Sequence, residues 1–367
     1  MLSKKTRTGG LALWTAAFCG LITAAAFFIF AATGDAASMP ATVAEIALYQ
    51  GADREQLLIE GAKKERGILF YNSNTWMETV AQEFEKKYPF IKVSIWRTEP
   101  VNIIKRVMEE YASGRFLADV LETSDSAPGV LHARGIYQEY YSPEIVYYGD
   151  EVKVKGKIGV YYLADREIYS GLGFNMKLIS PADAPKSYKD LLDTKWKGKM
   201  SLSGTGAGVR WVGHVLNVMG SEYLEKVSRQ HIRVQNITPA ALVSQVISGE
   251  VPLSPAIFDS NVFTAKETGA PVEWRPLEPV LVNVGFSGLT TRAPHPHAAL
   301  LFLDYLHSRE GQKVITKGGL SSPREDVGSA ERKFKKTYFG VQYSPEEFEN
   351  KFREWEELMR QLFIRKK

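Results

Sequence analysis

The chain of 367 residues is too long for one ordinary core, and its 44% hydrophobic and 24% charged residues are typical of a folded protein with two domains. A formal net charge of +4 excludes the strongly basic surface of a nucleic-acid-binding protein. The single cysteine excludes a fold held together by disulfide bonds within the chain.

The first 37 residues have the layout of an export signal peptide. Basic residues precede an apolar run from Leu11 to Ala32, and small residues follow it. We expect cleavage after Ala36 or Ala37. Because the run is nearly long enough to span a bilayer, an uncleaved membrane anchor is the alternative. Cys19 lies inside this run, so we expect the mature chain to have no thiol.

Residues 67–97 have the pattern of a strand, a helix and a second strand. Ile68–Tyr71 is a short apolar run, and Lys92–Arg97 alternates as the second strand. Between them, Thr75 and Glu78 have the spacing of a capping box at the start of a helix. Such a unit predicts a right-handed parallel crossover, and ligands of open sheets bind beyond the carboxyl ends of the strands. The polar residues at this end are Asn72, Ser73 and Asn74.

A second polar strand end follows an amphipathic helix predicted over Pro100–Ser113. The next strand is predicted over Ala118–Glu122, and in a parallel sheet its carboxyl end lies near the first one. Taken singly, each of these ends is an ordinary cap or turn. The residues at this second end are Thr123, Ser124 and Asp125.

The third polar end is rich in glycine. A strand predicted over Lys199–Leu202 runs into residues 203–208, ahead of an apolar helix predicted from Val209 to Met219. Glycines let the backbone approach a ligand closely, and free amide groups at a helix start favour an anion, although a mobile turn is the alternative. Three polar ends in one chain favour a shared binding site. Its residues here are Ser203, Gly204, Thr205, Gly206 and Arg210.

The rest of the chain predicts alternating strands and helices. We expect strands over Gly159–Leu163, Gly171–Asn175 and Pro252–Phe258, and a helix over Thr238–Ser248. Ser344 begins a last amphipathic helix, whose apolar face we expect to pack on the body of the protein. That face consists of Phe348, Phe352, Trp355 and Met359.

A search for catalytic and metal-binding motifs finds none that is specific. Residues 285–288 lack the second glycine of a nucleophile elbow. Three pairs of adjacent tyrosines predict packing, since neighbouring strand residues point to opposite faces. His295 and His297 flank a proline and predict a helix start. We therefore expect no catalytic residue, no metal site, no cofactor and no enzymatic activity.

Several phrases, in order along the chain, resemble the periplasmic solute-binding proteins of ABC importers, in the cluster that includes the ferric-ion binding proteins. The resemblance implies an α/β, two-lobed periplasmic-binding-protein fold (type II). In that fold each lobe is a mixed, mainly parallel sheet flanked by helices, and the ligand cleft lies between the lobes. The phrases are Glu83–Pro89, Ala118–Thr123, Tyr188–Gly198, Ser248–Val251, Ala293–Phe302 and Ser308–Gln312.

The resemblance also implies a domain layout. Residues 1–37 are expected to form the signal peptide, 41–168 lobe 1 and 169–280 lobe 2, and 281–367 to return to lobe 1 and form the C-terminal helices. The chain would then be a periplasmic monomer that binds a small-molecule or anionic solute and an inner-membrane ABC permease, with no nucleic acid.

By the same resemblance, the solute would bind between the two sets of polar ends. The ferric members of the family coordinate metal through an adjacent tyrosine pair, where this chain has Asn261, Val262 and Phe263. We expect Asn261 to line the cleft. Ferric ion or a ferric complex held by other ligands stays open as an alternative, as do a membrane-tethered solute sensor and a small transferase on the same fold.

Amino-terminal sequencing of the exported protein tests the leader. We expect the mature chain to begin near Ala37 or Ser38, because signal peptidases cleave after small residues. A mature chain that still contains Leu11–Ala32 would contradict cleavage and favour the tethered form.

Overall fold

The computed structural model describes residues 41–328, 334–339 and 343–364. The leader, with Cys19 and both candidate cleavage positions, lies outside the described residues. Within the described ranges, no helix is long and apolar enough to cross a membrane.

The described chain alternates between helices and strands. The helices are α1 (Val43–Ala47), α2 (Arg54–Glu65), α3 (Met77–Lys87), α4 (Pro100–Ala112), α5 (Ala127–Ala133), α6 (Gly206–Met219), α7 (Ser221–Ser228), α8 (Pro239–Ser248), α9 (Asp259–Glu267), α10 (Pro296–His307), α11 (Arg309–Lys317) and α12 (Pro345–Met359). The strands are β1 (Gly67–Asn72), β2 (Lys92–Arg97), β3 (Val120–Ser124), β4 (Lys153–Lys155), β5 (Val160–Asn175), β6 (Ser201–Ser203), β7 (Arg233–Gln235), β8 (Leu253–Phe258), β9 (Val272–Arg275), β10 (Val280–Leu289) and β11 (Lys336–Tyr338).

One sheet connects most of these strands, in the order β2, β1, β3, β10, β5 and β4. Strand β1 pairs in parallel with both β2 and β3, with Tyr71 opposite Leu121. The carboxyl ends of β1 and β3 are therefore neighbours, which confirms the crossover and the adjacency of the first two polar ends. Strand β10 is antiparallel to β3 and β5. The glycine-rich end belongs to β6, which pairs with β7 in a separate sheet.

Strand β5 corrects one prediction. The two strands predicted over Gly159–Leu163 and Gly171–Asn175 are parts of one strand of 16 residues. The prediction was wrong because three consecutive charged residues, 165–167, interrupt the apolar pattern, yet all three are buried. The first part of β5 pairs with β4 and β10, and its last part with β8 and β9. The expected boundary at residue 168 falls inside it.

The predicted capping box of α3 is also wrong. The helix begins at Met77, and no side chain caps its first turn. Two asparagine side chains organise the preceding turn instead. Asn72 Oδ1 accepts the Asn74 N–H at 3.1 Å, and Asn74 Oδ1 accepts the Trp76 N–H at 2.8 Å. These local turns compete with the cap that Thr75 would make.

The chain buries two main hydrophobic cores, one on each side of the middle of β5. Around the first, which we call lobe 1, pack β1, α3 and α10, with Phe70, Phe84 and Phe302 in edge or tilted ring contacts. Around the second, lobe 2, pack β6, α6 and α12, with Trp211 and Trp355 fully buried. The apolar face of α12 therefore packs on the body as predicted, and the capping box of Ser344 and Glu347 is formed.

Buried histidines predict that acid destabilises both lobes. Burial lowers the pKa of His214 and of His307 to about 4. Stability from these groups is present above about pH 6.5 and is lost as the pH falls, because the unfolded chain then binds more protons. His295, whose pKa is raised by its hydrogen bond to Asp119, acts in the opposite direction.

We expect each of the two buried histidines to cost about 2 kcal/mol of unfolding free energy between pH 7 and pH 5. Urea unfolding at the two pH values measures the loss. In His214→Gln, where an amide can still donate to the Pro279 carbonyl, the loss should shrink by about that amount. Substitution of the exposed His231 by Gln is the control. An unchanged loss in His214→Gln would contradict the assignment.

Candidate functional site

A cavity of about 550 Å³ lies between the two lobes, and we call it the interlobe cavity. Lobe 1 contributes the ends of β1 and β3 and the start of α4, while lobe 2 contributes α6 and the end of β8. The long strands β5 and β10 form its floor through Arg166, Ile168 and Asn283, and the C-terminal helix α12 forms one wall. Two lobes, two connecting strands and one helix thus surround a single space.

The floor is fixed by a buried ion pair. Arg166 Nη2 lies 2.9 Å from Glu122 Oε1, and the two side chains are 3% and 0% exposed. The other carboxylate oxygen of Glu122 accepts the Ser73 N–H at 2.7 Å and the Ser73 hydroxyl at 3.1 Å. One carboxylate therefore connects β5 to the loop after β1. Removal of one partner from so deeply buried an ion pair strongly destabilises the folded protein, because the other charge stays buried without a counter-ion.

The backbone makes room for this pair. The register of β5 on β10 shifts beside Gly285, which pairs with Arg166, while Phe286 pairs with Ala164. A Cβ atom on Gly285 would lie 1.5 Å from Arg166 Nη1, so only glycine fits opposite the guanidinium. Burial and the nearby Glu122 charge raise the pKa of Asp165 well above its ordinary value. Asp165 Oδ1 lies 3.9 Å from Arg166 Nη1, farther than Glu122, which is the close ion-pair partner of the floor.

A second ion pair joins the lobes directly. Arg210 Nη2, on α6 of lobe 2, donates to Asp125 Oδ2 of lobe 1 at 2.5 Å. Asn283 Nδ2 donates to the other carboxylate oxygen at 2.8 Å, and Asp125 has a left-handed backbone with φ of 59°. The side chains of Arg210 and Asp125 are 24% and 12% exposed, so solvent reaches this pair. We call these two residues the interlobe latch.

The structure brings five of the residues predicted from sequence to the interlobe cavity and leaves seven outside its lining. Those at the cavity are Ser73, Asn74, Ser124, Asp125 and Arg210. Two others, Asn72 and Thr123, are fully buried at the ends of their strands. The rest lie at the end of β6, at the start of α6 and on α9; they are Ser203, Gly204, Thr205, Gly206 and Asn261.

The glycine-rich segment is occupied by the chain's own groups. Ser203 Oγ donates to the Ile237 carbonyl at 2.6 Å, and the Gly204 N–H donates to the Gln235 carbonyl at 2.5 Å. Helix α6 begins at Gly206, earlier than predicted, and a Cβ there would lie 2.9 Å from Arg210 Nη1 and in ordinary contact, at 3.5 Å, with the Phe352 ring of α12. The segment therefore packs against its own helix and against α12.

Sequence reasoning missed Arg166, Asn283 and the contribution of α12. Arg166 stands within a charged triplet that reads as a surface loop, and Asn283 stands in a strand that carries no other signal. The only signal in the sequence was the apolar pattern on both sides of residues 165–167, which is consistent with a single long strand through them. For α12, an amphipathic pattern predicts a buried face but not what that face covers.

The position of the family's tyrosine pair is apolar here and does not line the interlobe cavity. Val262 is buried in a small core of lobe 2, and Phe263 lies against Gly319, where a Cβ would be 2.4 Å from its ring. Among the described residues, no group of three or more His, Cys, Asp or Glu side chains is arranged to hold a metal ion.

A second cavity, of about 600 Å³, lies along the other face of β5. Glu167 and Tyr169 line this second cavity, whereas Arg166 and Ile168 line the interlobe cavity. This is expected because successive side chains along a strand point to opposite faces of the sheet. Glu167 accepts hydrogen bonds from Tyr169, from Lys336 Nζ at 2.7 Å and from Tyr338 at 2.7 Å. These contacts attach β11 of the C-terminal segment to β5.

The sequence profile of the bacterial extracellular solute-binding proteins matches residues 71–321, which is well over half of the chain. The chain belongs to this family. No protein with a curated description matches the sequence.

Solved structures of similar fold are two-lobed binding proteins. Iron-bound HitA from Pseudomonas aeruginosa is 22% identical, with a TM-score of 0.64, and the match covers 79% of this chain and 98% of HitA. AfuA from Actinobacillus pleuropneumoniae, with fructose 6-phosphate bound, is 20% identical (TM-score 0.61; 81% and 99% covered). An ABC-transporter substrate-binding protein from Agrobacterium tumefaciens is 14% identical (TM-score 0.66; 80% and 94% covered).

These likenesses confirm the predicted fold class, and the family confirms the predicted function at the level of a solute-binding component of an ABC transporter. This solute-binding protein therefore has a small-molecule ligand and a permease partner as its family implies, and its relatives are transport proteins rather than enzymes. The family is an extracellular one, which agrees with export.

The interlobe latch predicts how the lobes respond to a charge change. Asp125→Asn keeps the size of the side chain but removes its charge, so we expect the solute-free protein to shift toward the open form by about tenfold in the open-to-closed ratio. Small-angle X-ray scattering should then show a larger radius of gyration. Lys226→Gln, which removes an exposed ion pair with Glu222 on α7, is the control. Identical scattering from both variants would contradict the latch.

Proposed function

We propose that this solute-binding protein captures a small polar solute with an anionic group in the interlobe cavity and delivers it to the permease. The observation that carries the proposal is the presence of two arginines, Arg166 and Arg210, in one cavity lined by both lobes and both connecting strands. Ser73, Asn74 and Ser124 add hydrogen-bonding groups at the lobe 1 side.

Two arginines and three carboxylates, Glu99, Asp125 and Glu349, line the cavity, so an anion is favoured at the arginines themselves. Arg166 has Glu122 as its ion-pair partner, while its Nε and Nη1 atoms have no hydrogen-bond acceptor among the described residues. Arg210 pairs with Asp125, which is also held by Asn283. An anionic group that enters from solvent takes the place of Asp125 at Arg210, and Asn283 keeps the displaced carboxylate in position. The displaced carboxylate then keeps the hydrogen bond from the neutral Asn283 amide, and solvent reaches its 12% exposed side chain.

Closure follows from the same contacts. A solute that touches residues of lobe 1 and Arg210 of lobe 2 together gains binding free energy in the closed form that the open form cannot supply. Strands β5 and β10 connect the lobes, and the register shift beside Gly285 is the natural position for the bend. The capture mechanism is therefore hinge closure, as in other periplasmic binding proteins.

The proposal also covers the location, oligomeric state and domain layout of the protein. The protein acts in the periplasm as a monomer after removal of residues 1–37, with lobe 1 formed by 41–168, lobe 2 by 169–280, and a return through 281–367 whose helix α12 packs on lobe 2. It performs no catalysis and needs no cofactor. HitA binds iron and AfuA binds fructose 6-phosphate on similar folds, so the fold by itself does not determine which solute binds.

A thermal-shift screen tests the proposal. We expect at least one anionic solute among phosphates, phosphonates and carboxylates to raise the melting temperature, since a ligand at 100 times its Kd stabilises the native state by about 2.7 kcal/mol. Arg210→Gln should abolish the shift, whereas Lys226→Gln on the exposed face of α7 should keep it.

Ferric citrate is a separate arm of the screen. Metal-free protein should develop no tyrosinate charge-transfer colour, because apolar side chains occupy the place of the family's tyrosine pair. A strong visible band would favour ferric binding instead. No stabilisation by any anion or metal complex would contradict the proposed solute class.

A further inference from the structure

Helix α12 is a fixed part of lobe 2 that lies beyond residues 71–321, the range matched by the family. Its Trp355 is fully buried, and a Cβ on Gly213 of α6 would lie 2.4 Å from the Trp355 ring. Helix α6 therefore carries a glycine where the indole of α12 packs. Phe348 adds ring contacts to Trp355 and to Phe339, with centroids 6.2 and 5.7 Å away.

The first turns of α12 face the interlobe cavity. Phe348 and Glu349 line it directly. One turn further along the helix, the guanidinium of Arg210 lies over the ring of Phe352, with Arg210 Cζ 5.7 Å from the centroid of that ring. The same end of α12 contacts α5 of lobe 1 and borders a smaller space beside Arg134. Helix α12 thus lies across the cleft between the two lobes.

The cavity has a polar part and an apolar part. The polar part combines Arg166, Arg210 and Asn283 with three carboxylates, Glu99, Asp125 and Glu349. Ile104, Ile168 and Phe258 provide apolar surface, to which Phe348, 6% exposed, adds one edge of its ring. A bare oxyanion satisfies the arginines and leaves the apolar side chains facing water inside a 550 Å³ space. An anion with an apolar body fills both parts, because burial of its hydrocarbon removes that surface from water.

The interlobe latch strengthens this argument. An anionic group at Arg210 replaces an existing ion pair with Asp125, so the exchange by itself yields little net binding free energy. The remaining binding free energy must come from other contacts, and the apolar side chains of the cavity offer them. Glu349 lines the same cavity and repels any anion, and the repulsion grows with the charge of the solute, so a singly charged anion is less disfavoured than a multiply charged one.

We propose that α12 makes this cavity selective for organic anions with an apolar body, and that Phe348 is the specificity-determining residue that contacts that body. The proposal rests on the proposed function, since it names the class of solute that binds at the same site.

Titration calorimetry of the full mature chain with inorganic phosphate and with methyl-, propyl-, butyl- and phenylphosphonate tests it. Each added methylene group should tighten binding about fourfold, because burying one is worth about that factor. Phosphate affinity equal to that of the larger phosphonates would overturn the inference and leave the proposed function standing. No binding by any member of the series would overturn the inference, whereas the proposed function would be overturned only if the carboxylates of the thermal-shift screen failed as well.

Variants of α12 provide an independent test. Phe348→Leu preserves an apolar core side chain and should weaken phenylphosphonate several-fold while leaving phosphate unchanged, because the lost contact is with the apolar body. Glu349→Gln should tighten every phosphonate about twofold to fivefold. Glu356→Gln, the same charge change two turns further along the exposed surface of α12, is the matched control. Equal affinities in all three variants would overturn the inference.

Discussion

The buried pair of Arg166 and Glu122 is the constraint on which the cleft depends. Arg166 stands in the middle of β5, a strand that belongs to both lobes, and Glu122 stands in the middle of β3, a lobe 1 strand whose neighbour β1 leads into Ser73. Because a buried guanidinium without its carboxylate is costly, the pair fixes the floor of the cavity relative to lobe 1. The absence of a side chain at Gly285 and the register shift beside it are consequences of accommodating that guanidinium.

Lobe 2 contacts the cavity above this floor in two different ways. Arg210 reaches across the cleft to Asp125, a polar contact that solvent and an entering anion can exchange. Helix α12 approaches from the side with its aromatic face, fixed to α6 by Trp355 and to the cavity by Phe348. In the proposed mechanism, the first contact sets the charge of the solute and the second sets its shape and hydrophobicity. Because both contacts belong to lobe 2, we propose that they act together during capture.

Local patterns predicted the elements whose signals are local. The crossover from β1 through α3 to β2 and the capping box of α12 follow from apolar periodicity and from Ser344 three residues before Glu347. The middle of β5 could not be predicted in this way, since residues 165–167 read as exposed charges. Their burial is possible only because partners arrive from distant segments, Glu122 for Arg166 and Tyr338 for Glu167. The site was predicted only in part for the same reason. The polar strand ends and Arg210 carry local signals, whereas Arg166 and Asn283 on the floor and the wall formed by α12 depend on contacts between distant segments.

A crystal structure of the protein with its most strongly stabilising organic anion tests the central claim most directly. We expect closed lobes with the anionic group at Arg210 and Arg166, its apolar body against Phe348, and Asp125 displaced from Arg210. Solute bound instead in the second cavity beside Glu167 and Tyr338, with the Asp125–Arg210 pair intact, would contradict it.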